Sequence, residues 1–287
     1  MNPFVVHIAS GLSLFTGGIA VILSLSLLDR FPPPWINRLL RVLVIAGISI
    51  AILSATALPL WFTATASSIT LASLSSRLTR RWPVLRKCVC LLWATVCMLE
   101  LPRLITPQID PSVNVETVVV LADSVTAGLG EEEATTWPAL LRVRQNVNVI
   151  DLSHVGETTR TGHQRAAQHG LPADCVVLIE LGGNDILGST SSEDFAKELD
   201  SLLRFATAHQ RHVFLFELPL PPFHNDWGSI QRTLARKYDV NLIPRHRLAS
   251  VFQGKESTMD SIHLSQSGHE RMLTIVCEVL RIPTSTD

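Results

Sequence analysis

The chain has 287 residues, enough for one large domain or two modest ones, and its net charge of −1 hides a strong asymmetry. Residues 1–105 hold nine of the 24 Lys and Arg but only Asp29 and Glu100 of the 25 acids, whereas residues 106–287 carry 15 basic and 23 acidic side chains, a net of −8. An apolar, basic first part joined to an acidic second part reads as a membrane region followed by a soluble one, and the acidic part argues against a nucleic-acid partner, because phosphate contacts need clustered Lys and Arg.

Five cysteines, Cys88, Cys90, Cys97, Cys175 and Cys277, make no disulfide framework; all five lie in apolar patterns and read as buried, inert thiols. No Cys-x-x-Cys pair or His-rich cluster with ligand spacing occurs, so no metal is expected.

In chain order, Phe4–Leu28 is uncharged and longer than the roughly 20 residues a bilayer span needs. It lacks a basic leader and reads as a retained span, with His7 at the interface. A Pro-rich basic loop, "DRFPPPWINRLLR", follows. The uncharged stretch from Val42 to Ser76 is too long for one span and divides at Pro59 into two expected helices, Val42–Leu58 and Leu60–Ser76, the alternative being a single tilted span with an interfacial segment. After a second basic loop, "RLTRRWPVLRK", comes a last apolar run from Cys88 to about Ile105. Both Arg-rich loops belong in the cytoplasm by the positive-inside rule, which requires an even number of spans between them. Four spans are therefore expected, a multi-pass membrane protein with everything after Ile105 outside the cytoplasm. The spans read as an anchor, since no paired ionisable residues mark a transport path; Glu100 lies near a helix end.

Residues 106–116 read as a polar, Pro-containing linker, and 117–287 as one domain. Strand-like runs are "TVVVLAD", "VNVIDLS", "CVVLIELG", "HVFLFELP" and "VNLIP". Helical patterns lie between and after them, at Trp137–Arg144, Thr158–Gln168, Ser192–Ala208, Ser229–Tyr238 and Ser265–Leu280. Near-continuous apolar strands separated by amphipathic helices predict an α/β fold, a parallel sheet covered on both faces. In such sheets ligands bind beyond the carboxyl ends of the strands, so the polar residues there are the ones to inspect.

Strand one ends in Asp123-Ser124, strand two runs into "SHVGETT" with Gly156, and strand three ends in "GGND", Gly182 to Asp185. Near the C-terminus "DSIHLSQSGH" puts Asp260 three residues before His263. Ser124 is either the cap of a following helix or a nucleophile.

Together these segments resemble the four blocks of the SGNH (GDSL-type) hydrolase family, in order, from about Val118 to Arg281. "LIELGGNDIL" and "DSIHLSQSGH" carry most of the likeness, which is closest to bacterial thioesterase/lysophospholipase-type members; the spans are similar to those of membrane-anchored bacterial members. The resemblance implies a three-layer α/β/α, flavodoxin-like sheet. It implies Ser124 as nucleophile, His263 as base and Asp260 as its orienting carboxylate. It also implies an oxyanion hole made by the backbone N–H groups of Ser124 and Gly156 and the side-chain amide of Asn184. Ala122 stands where the family has Gly, which the fold tolerates only if the backbone there does not need positive φ. The chemistry is consistent: neutral imidazole activates a serine hydroxyl, and a carboxylate three residues away fixes its tautomer.

The implied activity is a serine esterase acting on carboxylic ester or thioester bonds of lipid-like acyl or O-acetyl substrates, with no cofactor. It would sit in a bacterial inner membrane with its catalytic domain extracytoplasmic. Acyl transfer using the membrane part, or an inactive envelope-binding domain, are the alternatives. Asp123 reads as a turn former, His269 as structural, His154 as a neighbour of the site, and "GEEE", ending at Glu133, as a solvated helix approach. Leu220 and Phe223, in "ELPLPPFHND", are candidates to line an acyl pocket. Nothing in the sequence signals an oligomeric state.

Overall fold

The apolar first part forms helices in the computed structural model, which describes residues 2–28, 30, 33–75, 84–128, 134–253, 256–260 and 262–283. They are α1 (Pro3–Ala9), α2 (Ser13–Leu27), α3 (Pro34–Leu53), α4 (Leu60–Ser73) and α5 (Leu85–Glu100). The run from Phe4 to Leu28, expected as one span, is two helices bent by 91°. Gly11, between them, has φ +78°, a left-handed conformation that ends a helix. The break expected at Pro59 is present, with Pro59 immediately before α4, but the helix ahead of it runs from Pro34 to Leu53 rather than from Val42 to Leu58.

Among the described residues only α3 is by itself long and apolar enough to cross a bilayer; α1 and α2 together would make a second span despite their bend. With 14 and 16 residues, α4 and α5 reach about 21 and 24 Å at 1.5 Å per residue. Both fall short of a hydrocarbon core about 30 Å thick. Against the four spans expected, the described residues thus hold one helix of spanning length, or two with the bent pair. Much of the second basic loop and all of "GEEE" lie outside the described residues. Within this part α2 and α3 approach closely at two glycines, because a Cβ on Gly17 would collide with the Gly47 carbonyl oxygen. The indole N–H of buried Trp93 donates to Thr70 Oγ1 at 2.8 Å.

The chain divides into two units, one of His7–Ile105 with Leu220–Asn225, the other of Met1–Val6, Thr106–Pro219 and Asp226–Asp287. In the second, the five apolar runs become parallel strands β1 (Thr117–Ala122), β2 (Asn148–Asp151), β3 (Val176–Glu180), β4 (His212–Phe216) and β5 (Asn241–Ile243). Their order is β2-β1-β3-β4-β5, the flavodoxin-like arrangement. β1 is flanked by both β2 and β3, so chain order reverses there; its register pairs Val120 with Asp151 and Ala122 with Glu180.

The remaining helices are α6 (Ser124–Ala127), α7 (Trp137–Gln145), α8 (Thr159–His169), α9 (Gly183–Leu187), α10 (Ser192–Ala206), α11 (Asn225–Lys237), α12 (Arg245–Val251) and α13 (Gln266–Leu280). Alternate strand residues point to opposite faces. Val118, Val120, Val176, Leu178, Phe214 and Phe216 pack with Trp137 and Leu141 of α7, Leu248 of α12, and Met272 and Val276 of α13. Val119, Leu121, Val177, Ile179 and Leu215 are equally buried on the other face. Each such side chain contributes about 1.5–3 kcal/mol by leaving water. Local caps fix where the helices start. Thr158 and Thr161 form a capping box at α8, and the Ser191 and Ser265 side chains accept the N–H groups of Asp194 and Gly268 at α10 and α13. The segment 106–116 is tied in by the Ile109 N–H, which donates to the Val279 carbonyl at 2.8 Å.

Candidate active site

β1 ends at Ala122 and the chain turns at once into α6. Asp123 caps this turn: its Oδ1 accepts the Val125 N–H at 2.9 Å. Thr136 occupies the cap position of α7, so Ser124 caps neither helix. Ala122 is an ordinary strand residue without positive φ, and its methyl is therefore tolerated at the position where the resemblance implied Gly.

Ser124 Oγ lies 3.2 Å from His263 Nε2, across 139 residues of sequence. His263 Nδ1 lies 2.6 Å from Asp260 Oδ2. A carboxylate can only accept, so Nδ1 carries the proton and Nε2 is free to accept from the serine hydroxyl. Asp260 Oδ1 accepts the backbone N–H groups of Ile262 and His263, both at 2.7 Å, in a side-chain turn that presents the imidazole. The His263 hydrogen bond, with these two N–H donors, holds the Asp260 carboxyl well below the usual carboxylate range. It therefore stays charged.

Gly156 follows β2 with φ +75°, and a Cβ there would meet nothing within 4 Å; the glycine is needed for its backbone conformation, not for space. Asn184 opens α9 after β3. Its amide donates to the Glu157 carbonyl at 2.9 Å and to Asp123 Oδ2 at 3.3 Å. Gly183 allows this close approach, since a Cβ on it would lie 3.1 Å from Asp123 Oδ2. The expected catalytic and oxyanion residues thus come from loops at the carboxyl edges of β1, β2 and β3 and from the turn before α13.

Other expected residues take blander places. His269 is fully buried, and its Nδ1 accepts the Trp137 N–H at 3.3 Å. His154 is exposed, with Nδ1 3.6 Å from Glu157 Oε2. Leu220 is fully buried, while Phe223 is exposed with φ +69°; both belong to the segment Leu220–Asn225, grouped with the helices.

Several buried carboxyl groups have surroundings that the sequence did not signal, Asp123, expected only as a turn former, among them. Burial pushes Asp123 up to about 6, against the Val125 N–H and His263, which favour its charge. Burial, then the nearby Asp123 carboxyl, raises Glu180 well above its ordinary value. Burial also raises Asp185, which accepts the Thr159 N–H at 2.8 Å and its hydroxyl at 3.1 Å. Glu157 accepts from Arg165 Nε at 3.0 Å. A polar cavity of about 300 Å³ lies among Thr158, Arg160, Asp185, Thr190 and Glu198. Only the apolar-polar junction at each strand end signals such groups in the sequence.

Residues 123–271 match the family described as the GDSL-like Lipase/Acylhydrolase family. Esterase TesA of Pseudomonas aeruginosa is 33% identical over 184 residues, covering 58% of this chain and 88% of that protein. Thioesterase 1/protease 1/lysophospholipase L1 of Escherichia coli (strain K12) is 30% identical over 142 residues, 45% of this chain. The match spans 66% of that relative's length, just under two thirds. The crystal structure of TesA is similar with a TM-score of 0.49 and 28% identity, over 56% of this chain and 95% of that one.

Proposed function

The chain belongs to the GDSL-like lipase/acylhydrolase family, and from that premise we propose that it is a membrane-anchored serine hydrolase cleaving carboxylic ester or thioester bonds through an acyl-Ser124 intermediate. The reading rests on one observation, the continuous line from Ser124 Oγ through both nitrogens of His263 to Asp260. Ser124 Oγ attacks the acyl carbonyl while His263 Nε2 takes its proton, and Asp260 stabilises the imidazolium that forms. The oxyanion is met by the N–H groups of Ser124 and Gly156 and the amide of Asn184. His263 then gives its proton to the departing alcohol or thiol. Water, activated by the same imidazole, releases the acid and restores Ser124.

An acyl chain is favoured over an O-acetyl group by the loops that carry these residues. Val155 precedes Gly156, Leu187 follows Asn184, and Met259 and Ile262 bracket Asp260; all four are large, apolar and exposed. Exposed apolar side chains gathered on one set of loops mark a binding surface.

The test uses the full-length chain, wild type beside Ser124→Ala, with p-nitrophenyl acetate, butyrate and octanoate, palmitoyl-CoA and a fluorophosphonate probe. Turnover and labelling in the wild type that vanish in Ser124→Ala are the expected result. A folded wild type that neither turns over nor labels would move the weight to acyl transfer or to a binding domain.

With the bent pair α1 and α2 and the helix α3 as two spans, the basic stretch that begins between them, from Arg30 to Arg41, belongs on the cytoplasmic side, which supports a multi-pass anchor with the hydrolase domain outside the cytoplasm. Protease added to sealed vesicles of both orientations checks this. Cleavage of the domain only when the cytoplasmic face is outward would reverse the topology.

A further inference from the structure

α6 has only four residues, Ser124–Ala127, too few to hold its own shape by intrahelical bonds, yet it carries Ser124. Something outside the helix must fix it. Glu180 closes β3 level with Ala122, and its carboxyl is buried beneath this turn. Trp137 Nε1, which can only donate, gives its hydrogen to Thr126 Oγ1 at 3.0 Å. Thr126 has one hydroxyl proton left to give, and it donates to Glu180 Oε2 at 3.1 Å. The chain therefore runs one way, from Trp137 to Thr126 to Glu180, and Trp137 and Thr126 are fully buried. The backbone adds a bond, Asp123 N–H to the Glu180 carbonyl at 3.3 Å.

A carboxyl buried beside another carboxyl is costly, and an apolar side chain would fill the position more cheaply if filling were its task. Burial, then the Asp123 carboxyl, raises Glu180 well above its ordinary value, and with or without its proton the carboxyl offers an acceptor oxygen to Thr126. We propose that Glu180, acting through Thr126, is a positioning residue for the nucleophile: its acceptor oxygen fixes the Thr126 hydroxyl and, with it, the turn that aims Ser124 Oγ at His263 Nε2. This rests on Ser124 being the nucleophile. Misplacement of a reacting group by about 1 Å costs on the order of 10²-fold in rate, so loss of the anchor acts on turnover rather than on substrate binding.

The test compares the full-length wild type with Thr126→Val, Thr126→Ser, Glu180→Leu and Glu180→Gln. kcat and KM are measured on p-nitrophenyl butyrate, together with the rate of fluorophosphonate labelling and the thermal midpoint. Thr126→Val and Glu180→Leu should lower kcat and the labelling rate about 10–100-fold with KM within about twofold. Thr126→Ser and Glu180→Gln keep a donor and an acceptor and should recover to within about threefold of wild type. Should Glu180→Leu fail to fold, the Thr126 pair decides alone. Thr126→Val at the wild-type labelling rate, Thr126→Ser no better than Thr126→Val, or a rise in KM matching the fall in kcat would each overturn the inference. An unlabelled wild type would instead remove the Ser124 reading itself, and this inference with it.

Discussion

The amide of Asn184 donates to Asp123 Oδ2 at 3.3 Å, so the residue beside the proposed nucleophile and a proposed oxyanion donor are bonded to each other. The second amide hydrogen goes to the Glu157 carbonyl at 2.9 Å, which fixes the plane of the amide. The longer bond to Asp123 is the one a developing oxyanion would replace, while the shorter one keeps Asn184 in place. Asn184→Ala removes the donor and should lower kcat/KM about 10²–10³-fold, mostly in kcat. Gly156→Ala keeps its N–H and meets no steric obstacle, but strains a backbone at φ +75° by about 1–2 kcal/mol. Its loss should be smaller. Steady-state kinetics of the two variants on p-nitrophenyl butyrate checks both, and an Asn184→Ala enzyme at wild-type kcat would remove Asn184 from the oxyanion hole.

Glu217 lies at the end of β4 in a buried cluster with Arg232 Nε at 2.7 Å and Arg245 Nη2 at 2.6 Å. Burial acts to raise its carboxyl, but the two guanidinium groups outweigh it and hold Glu217 at about 2. The folded value is below the unfolded one of about 4.3, so the stability it contributes is present above that value and is lost as pH falls towards about 2. Each unit of difference is about 1.4 kcal/mol, which makes the contribution roughly 3 kcal/mol at neutral pH. Glu217→Gln should therefore melt well below wild type at pH 7, with the gap about halved at pH 3. An equal gap at both pH values would show that packing, not charge, is what the substitution loses.

That cluster also shows where sequence reading stops. The β-sheet was legible because the strands are near-continuous apolar runs, and the site because its residues sit where those runs end: Ser124 after "VVVLAD", Asn184 after "VVLIELGG", His263 just ahead of the last helix. Glu217 ends such a run too, in "VFLFELP", but its partners lie 15 and 28 residues further on, in helices whose facing cannot be read from spacing. α12 was missed for a related reason, being seven residues long with Arg245 turned inward. Glu180 was quoted within a family block without a role, since its meaning depends on Thr126 and Trp137, brought together by a turn between β1 and α7. In the first part, composition predicted helices but not the 91° bend, which depends on one left-handed glycine, Gly11.

Leu187 is 70% exposed and Ile262 is 42% exposed, on the two loops that carry Asn184 and His263. If they bind the acyl chain, truncating them costs affinity in proportion to the apolar area a substrate covers. Leu187→Ser with Ile262→Ser should raise KM for p-nitrophenyl octanoate about 3–10-fold and leave the acetate ester nearly unchanged, since a lost apolar contact is worth about 1–3 kcal/mol at most. An equal effect on both esters would place the acyl chain elsewhere.

His269, four residues into α13, reaches over to the start of α7, where its Nδ1 accepts the Trp137 N–H at 3.3 Å. First-turn N–H groups have no partner within their own helix, so a ring nitrogen from another helix supplies the acceptor. That role requires the tautomer protonated on Nε2, and a second proton would remove the acceptor altogether. Burial holds His269 at about 4, below the unfolded value of about 6.5. Between these values the unfolded chain binds the proton and the folded chain does not, so stability is complete above about 6.5 and falls as pH drops towards about 4. This window lies above that of Glu217, and the two separate on a pH scan. His269→Gln offers a carbonyl oxygen to Trp137 and cannot titrate. The wild-type midpoint should fall by several degrees from pH 7 to pH 5, and that of His269→Gln by distinctly less. Parallel curves for the two proteins would mean that His269 is already reached by protons in the folded state.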